Sequence, residues 1–360
     1  GGTRDAQPGE SAEEIDLRLA ALEKTAVSRI ETYFSKTRSL PAELHISPPA
    51  RFGEVGWQCQ GKLVNYDTVA YLERIALLYY AGFLNRQSPI SLLDRPNLRI
   101  LELGGGYGGL AYHIKQLLPS SRYTIVDLPE SLAFSSVYLG VLFREEKNRF
   151  GAAMAGDPKP GFSLVPNFEF PALVESGAKF DLVINTLSLS EMSVPQIRAY
   201  CEGIAALVGQ DGFFFEQNQN NHHLGLQFAP EIIREYFYHH LNLGAPPQHH
   251  QRVPGGQLPA SRGAAAVLEQ GFASVWANRP IPALEKDPRA FLPPPTLLTG
   301  EYPDHNVLQF GSSYYALPKS AGPVDFFGTD VSAVPGVFCD LSRDAVEAFC
   351  RRNGRAAARA

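Results

Sequence analysis

The residues with the clearest chemical purpose stand together in Leu101-Glu102-Leu103-Gly104-Gly105-Gly106-Tyr107-Gly108-Gly109. Apolar Ile100 precedes this run, and Leu110 to Leu118 follow it with helical spacing. The pattern predicts a strand, a glycine turn and a helix, the unit that cradles a nucleotide-like cofactor because glycine lets the backbone turn sharply and approach a ligand. A second apolar run, Tyr123-Thr124-Ile125-Val126-Asp127, ends in an acid placed to accept both hydroxyls of a ribose.

Two cofactors compete for this turn. Gly104, Gly106 and Gly109 satisfy G-x-G-x-x-G, so NAD is one candidate. Glu102 argues against it, because a carboxylate aimed into the turn repels a pyrophosphate, which needs bare N–H groups and a helix N-terminus. The same carboxylate suits S-adenosylmethionine, which carries an ammonium, a sulfonium and a ribose but no phosphate. The competing interpretation of Glu102 is a strand-end acid facing water.

The combination of Glu102-Leu103-Gly104-Gly105-Gly106-Tyr107-Gly108 with Val126-Asp127-Leu128-Pro129-Glu130 resembles class I S-adenosylmethionine-dependent methyltransferases, small-molecule O-methyltransferases among them. Three further segments sharpen the likeness: Phe52-Gly53-Glu54-Val55-Gly56-Trp57, Asn185-Thr186-Leu187-Ser188-Leu189-Ser190-Glu191-Met192 and Phe215-Glu216-Gln217-Asn218. With them the chain resembles the bacterial sugar O-methyltransferases, the group that includes the methyltransferase of nanchangmycin biosynthesis. The likeness covers about residues 50 to 240 and is more specific for the cofactor than for the sugar.

It implies an α/β, doubly wound Rossmann-like sheet with an N-terminal helical cap and a C-terminal extension. The expected bounds are 1–95 for the cap that closes over substrate, 96–280 for the cofactor-binding core and 281–360 for an extension completing the core. Pattern supports helices over 67–84, 131–143 and 194–208, and strands over 163–166, 180–185 and 212–216, all within or beside the core. Asp67 or Asn65 could cap the first of these helices. A helix from Pro230 closing on His239-His240 is also expected, as are terminal strands within 306–317 and a helix over 342–352. Ligands of such a sheet sit at the carboxyl ends of its strands.

For the cofactor, the expected contacts are Glu102 to the methionine ammonium, Gly104 and Gly106 through close backbone approach, and Asp127 to the ribose. Leu128 is expected to pack on the adenine, with ordinary core packing as its equal alternative. Asn167 is expected at an adenine edge and Asn185 at the methionine end. The product would be S-adenosylhomocysteine, and no metal is expected, since no cluster of acids is visible.

Methyl transfer from sulfonium to a sugar oxygen is an in-line displacement, and a base that removes the hydroxyl proton during attack helps by ~10²–10⁴-fold. Histidine is the natural type. His222 and His223 follow the fifth strand within Asn218-Gln219-Asn220-Asn221-His222-His223, amid amides able to bond sugar hydroxyls. Glu191 is the rival base: plant-type O-methyltransferases place a catalytic histidine after the fourth strand, and this chain has Leu187-Ser188-Leu189-Ser190-Glu191 there. The bland alternatives are a polar surface loop for the histidines and a helix N-terminal acid for Glu191. Glu216 is a further candidate base, with a structural hydrogen bond as its equal alternative, and Trp57, Tyr66, Glu216 and Asn218 are the expected acceptor contacts.

The resemblance implies a small-molecule or glycan acceptor. The 360 residues are 44% hydrophobic and 19% charged with net charge −5, which gives no electrostatic case for nucleic acid. The longest apolar stretch, Ile75 to Leu84, is too short to span a bilayer. Cys59, Cys201, Cys339 and Cys350 lack metal-ligand spacing and fit reduced thiols in a cytoplasm. Gly1-Gly2 reads as a cloning scar, and no signal peptide is legible after it. Oligomeric state stays open, a homodimer included. The alternatives to sugar O-methylation are a phenol or polyketide O-methyltransferase, a non-catalytic cofactor-binding partner subunit and, more remotely, an NAD enzyme.

Overall fold

Ser11 and Glu14 start the first helix by capping each other: Glu14 N–H donates to Ser11 Oγ at 3.3 Å, and Ser11 N–H donates to Glu14 Oε2 at 2.8 Å. Two N–H groups that the helix cannot satisfy are thereby paired. The chain is seen in a computed structural model that describes residues 11–59, 61–156, 159–221, 224–244, 252–257, 273–282, 292–327 and 331–357. Contacts divide it into two units. One gathers Gly1–Arg74, Pro295–Gly322 and Val334–Ala360; the other holds Ile75–Pro294 and Pro323–Ala333. Most of the segments read from the sequence as a cap and as a C-terminal extension therefore share one unit, while 75–95, 281–294 and 323–333 fall in the other.

In the discontinuous unit, α1 (Ala12–Thr37) is followed by the hairpin β1 (Trp57–Cys59) and β2 (Lys62–Val64). Next comes α2 (Tyr66–Ala81), whose second half falls in the other unit. Asn65 is the cap of α2: its Oδ1 accepts from Thr68 N–H at 2.8 Å and Thr68 Oγ1 at 2.7 Å.

The larger unit is a nine-stranded sheet. Its elements are β3 (Arg99–Leu103), α3 (Gly109–Leu117), β4 (Arg122–Asp127), α4 (Pro129–Leu142), β5 (Asn148–Phe150), β6 (Gly161–Pro166), α5 (Phe170–Glu175), β7 (Phe180–Thr186), α6 (Val194–Leu207), β8 (Val208–Gln217), α7 (Ala229–Ile233), β9 (His239–Leu243), β10 (Arg252–Gln257) and β11 (Ala273–Ala277). The strand order is β10-β9-β11-β8-β7-β3-β4-β6-β5. Strands β5 to β8, with β3 and β4, run parallel, and β11 inserts antiparallel between β8 and β9. This is the doubly wound, Rossmann-like α/β sheet that the sequence predicts. The central strands β3, β4, β6 and β7 are buried along almost their whole length, as helices on both faces require.

Three local expectations change. The fifth strand of the reading begins at Val208 rather than near 212. The helix from Pro230 is short, ending at Ile233, and His239-His240 opens strand β9 instead of closing a helix. Pairing with β11 decides this, since Trp276 and Ala277 lie opposite those two histidines. Strand β5 was not foreseen, because three residues carry no readable period.

The discontinuous unit ends in the antiparallel strands β12 (Thr296–Thr299), β13 (His305–Phe310), β14 (Ser313–Pro318) and β15 (Phe338–Asp340), followed by α8 (Arg343–Ala357). Phe349 of α8 stacks on Phe338, ring centroids 4.7 Å apart, over Val307, Ala316, Val346 and Cys350. The β13–β14 turn docks on the end of α1. Ser312 Oγ lies 2.9 Å from His45 Nε2, and Tyr33 Oη lies 2.8 Å from His45 Nδ1. Burial pushes the His45 imidazole down to about 4, so the ring is neutral and links the two segments as a donor and an acceptor. No helix among the described residues is long and apolar enough to cross a membrane.

Gly311, at φ +61°, fits this turn against the backbone of Ser39, where a Cβ would collide. Gly311→Ala is therefore expected to destabilise the protein by about 2 kcal/mol or more, read as a lowered melting temperature in calorimetry. An unchanged melting temperature would show that the turn does not hold the segments together.

Candidate cofactor and acceptor site

The turn after β3 is built on a buried carboxylate. Glu102 is 2% exposed and accepts the Tyr123 hydroxyl at 2.9 Å, so it is not a strand-end acid facing water. Burial and the neighbouring Glu102 push the Tyr123 hydroxyl well above its ordinary range and keep it a donor. Gly104, at φ +75°, donates its N–H to Val126 O at 2.9 Å. A Cβ on Gly104 would strike the Ser188 side chain, which makes glycine a requirement of the packing. Gly106 N–H donates to Asp127 Oδ2 at 2.7 Å, and Leu128 N–H donates to Asp127 Oδ1 at 2.7 Å. The acid at the end of β4 thus fixes the glycine turn while remaining half-exposed. Leu128 is 54% exposed, which excludes ordinary core packing and leaves its side chain available to a flat ligand.

Beside the turn lies a closed amide network. Asn185, fully buried at the end of β7, donates to Leu103 O at 3.0 Å and to Ser188 Oγ at 2.5 Å. Its Oδ1 accepts from Asn218 Nδ2 at 2.9 Å, and the same Asn218 nitrogen donates to Glu216 Oε2 at 2.8 Å. Asn218 Oδ1 accepts Ser190 N–H at 3.1 Å. Both hydrogens of each amide are used inside the protein. Asn185 therefore holds the turn in place, where the sequence suggested contact with the methionine end. Leu187 between them adopts φ +70°, ψ −31°, a rare conformation for a branched side chain, and its N–H bonds Gln217 O at 2.8 Å.

At the end of β6, Asn167 is half-buried and bonds the Tyr200 hydroxyl. That hydroxyl is raised by burial first and then by the charge of Asp127. Tyr200 also packs on Phe170, ring centroids 4.8 Å apart. The sequence gave no reason to choose Tyr200 among fifteen tyrosines, because its position depends on how α6 lies over the sheet.

The acceptor candidates divide. His222 and His223 lie outside the described residues, as do His249 and His250. Glu191 is exposed at the end of the turn Ser188–Glu191. Glu216 is 1% exposed and engaged with Asn218, Ser274 and Trp276; burial pushes its carboxyl up to about 7 against those hydrogen bonds, which pull it down. Glu216 thus makes the structural hydrogen bonds that were its alternative reading, and Asn218 supports the strand ends from within, in place of the acceptor contact expected of it. Trp57 and Tyr66 belong to the discontinuous unit. Trp57 opens β1, and Tyr66, 66% exposed, carries the Arg29 guanidinium 4.9 Å above its ring.

No protein-family model matches the chain, and no curated protein does. Solved structures do resemble it. One is PKMT2 from Rickettsia typhi in complex with AdoHcy, 18% identical, TM-score 0.29, covering 38% of this chain and 24% of that one. A TehB-like SAM-dependent methyltransferase from Corynebacterium glutamicum is 14% identical, TM-score 0.34, covering 58% and 97%. A SAM-bound amino pentose methyltransferase from Micromonospora echinaspora is 17% identical, TM-score 0.28, covering 40% and 50%. The chain spans about a quarter of the Rickettsia protein. At these values the chemistry has to be argued from the residues.

The raised carboxyl of Glu216 has a measurable consequence. A group that binds its proton more tightly when folded stabilises the protein fully below its ordinary value of 4.5, and that contribution is lost as pH rises through about 7. A shift of this size corresponds to roughly 3 kcal/mol. Between pH 5 and 8 the wild type is expected to lose stability relative to Glu216→Gln, whose amide keeps the shape without titrating. Parallel denaturation curves across that range would contradict this picture of Glu216.

Proposed function

We propose that this chain binds S-adenosylmethionine and transfers its methyl group to a hydroxyl of a sugar carried by a natural product, a nucleotide sugar or a polysaccharide end. The observation that carries the reading is the pair of carboxylates at the glycine turn: buried Glu102 below it and Asp127 tied to Gly106 N–H. A pyrophosphate there would face both charges, whereas an ammonium and a ribose suit them. The side-chain-uncapped N-terminus of α3 is what favours NAD instead, so NAD belongs in the test.

S-adenosylmethionine supplies a methyl group already activated on sulfonium. The chain must hold the cofactor, align the hydroxyl and remove its proton. Glu102 faces the ammonium, Asp127 the ribose, exposed Leu128 the adenine face and Asn167 its edge, with Gly104 and Gly106 allowing close approach. With the cofactor bound, His222 or His223 would take the proton of the acceptor hydroxyl as it receives the methyl group, with Glu191 as the rival. The thiols of Cys201, Cys339 and Cys350 are free, in keeping with a cytoplasmic site of action.

Calorimetric titration with S-adenosylhomocysteine is expected to show binding, with none for NAD⁺. Asp127→Ala is expected to weaken binding at least tenfold, about 1.4 kcal/mol. Binding of NAD⁺ alone would transfer the site to the dinucleotide enzymes. Binding without turnover on any sugar or phenol would favour a cofactor-binding partner subunit.

For the base, His222→Ala or His223→Ala is expected to lower kcat at least a hundredfold while S-adenosylhomocysteine still binds. If both variants retain full activity, the proton goes elsewhere and Glu191→Gln becomes the deciding variant.

A further inference from the structure

Helix α4 is apolar on two faces. Its inner face buries Leu132, Ser135, Tyr138 and Leu139 against the sheet. Its outer face leaves Phe134 69% exposed and Val137 64% exposed, with Val141 half-buried beside them. At 3.6 residues per turn, positions 130, 134, 137 and 141 fall within about 60° of one another, so they form one stripe. Exposed Glu130 opens that stripe, and exposed Arg144 follows two residues after the helix ends. Phe150, 61% exposed on the edge strand β5, adds to the apolar surface, and β5 is tied to α4 by Asn148 Nδ2 donating to Ser136 O at 2.7 Å. Two large exposed apolar side chains one turn apart are a poor solvent face and a good contact face.

The order of residues along the stripe says what covers it. Glu130 and Arg144 stand seven positions before and after Val137, so the sequence of charges reverses about that residue. We infer that the outer face of α4 is a two-fold contact with a second copy of this chain, the helices running antiparallel with Val137 near the axis. In that arrangement Phe134 lies against Val141 of the second copy, and Glu130 meets Arg144 at each end, twice per dimer. Such a face is complementary to itself, which is what a closed two-fold contact demands. Charges at the rim set register and partner choice, and the apolar middle supplies the affinity. Because Asp127 and Leu128 immediately precede α4, the two cofactor turns of the dimer sit at opposite ends of the contact.

The test is sedimentation and light scattering over a concentration series, with the melting temperature of each variant as a check on folding. Wild type is expected to be dimeric and Val137→Glu monomeric. Glu130→Arg and Arg144→Glu are each expected to raise the dimer Kd about fivefold or more, and the double variant E130R/R144E to restore it, since the pairs are re-formed with reversed sign. Should Val137→Glu fail to fold, the exposed charge swaps decide alone. A monomeric wild type at all concentrations, a dimer indifferent to Val137→Glu, or a double variant no tighter than the single ones would overturn the proposal.

Discussion

The structure of the site depends on two buried amides that leave no hydrogen unpaired. Asn185 and Asn218 bond each other, and between them they reach Leu103 O at the end of β3, Ser188 and Ser190 after β7, and Glu216 in β8. Three neighbouring strand ends are thereby locked in register at the edge where ligands of such sheets bind. A half-satisfied network in this place would be worse than apolar packing, because an unpaired buried amide loses its water without replacement. Closure of the network is also what permits Gly104 to lie against Ser188 and Leu187 to keep its unusual backbone.

The charges follow the same rule. A buried carboxylate is tolerated where donors face it. Glu102 has the Tyr123 hydroxyl, and Asp127 has two backbone N–H groups. Glu216 has donors too, yet burial still outweighs them and leaves its carboxyl near neutrality in pKa. The first two stand at the glycine turn, where a cationic ligand would add a further partner. The third lies behind the amides and answers to pH instead.

Local signals made the sheet and the turn legible from the chain. The glycines, the strand ending at Asp127 and the buried runs of β3, β6 and β7 are written in consecutive residues, so period and composition suffice. Contacts between distant residues were not legible. His239-His240 looked like a helix end and became a strand because β11 pairs with it from more than thirty residues away. The docking of the β13–β14 turn on α1 joins Ser312 to His45 across 267 positions, and no local pattern announces it. Tyr200 escaped notice for the same reason. Asn185, Glu216 and Asn218 were singled out correctly as residues at the strand ends, but residue type alone could not tell a ligand contact from the scaffold behind it.

That distinction bears on the base. A group that accepts a proton during attack has to come within hydrogen-bond reach of the hydroxyl it deprotonates. The three acids at the strand ends are engaged within the protein: Glu102 holds Tyr123, Asp127 holds the glycine turn, and Glu216 is closed off with Asn218. Glu191 is exposed, and the flanks of the histidine pair are anchored, Asn221 Nδ2 to Ser190 O at 2.9 Å and Leu224 N–H to Asn221 O at 2.9 Å. The same strand-end scaffold that holds the glycine turn therefore also anchors Asn221. Rigidity is built into the amides, and under the proposed function proton transfer falls to side chains that the network does not consume.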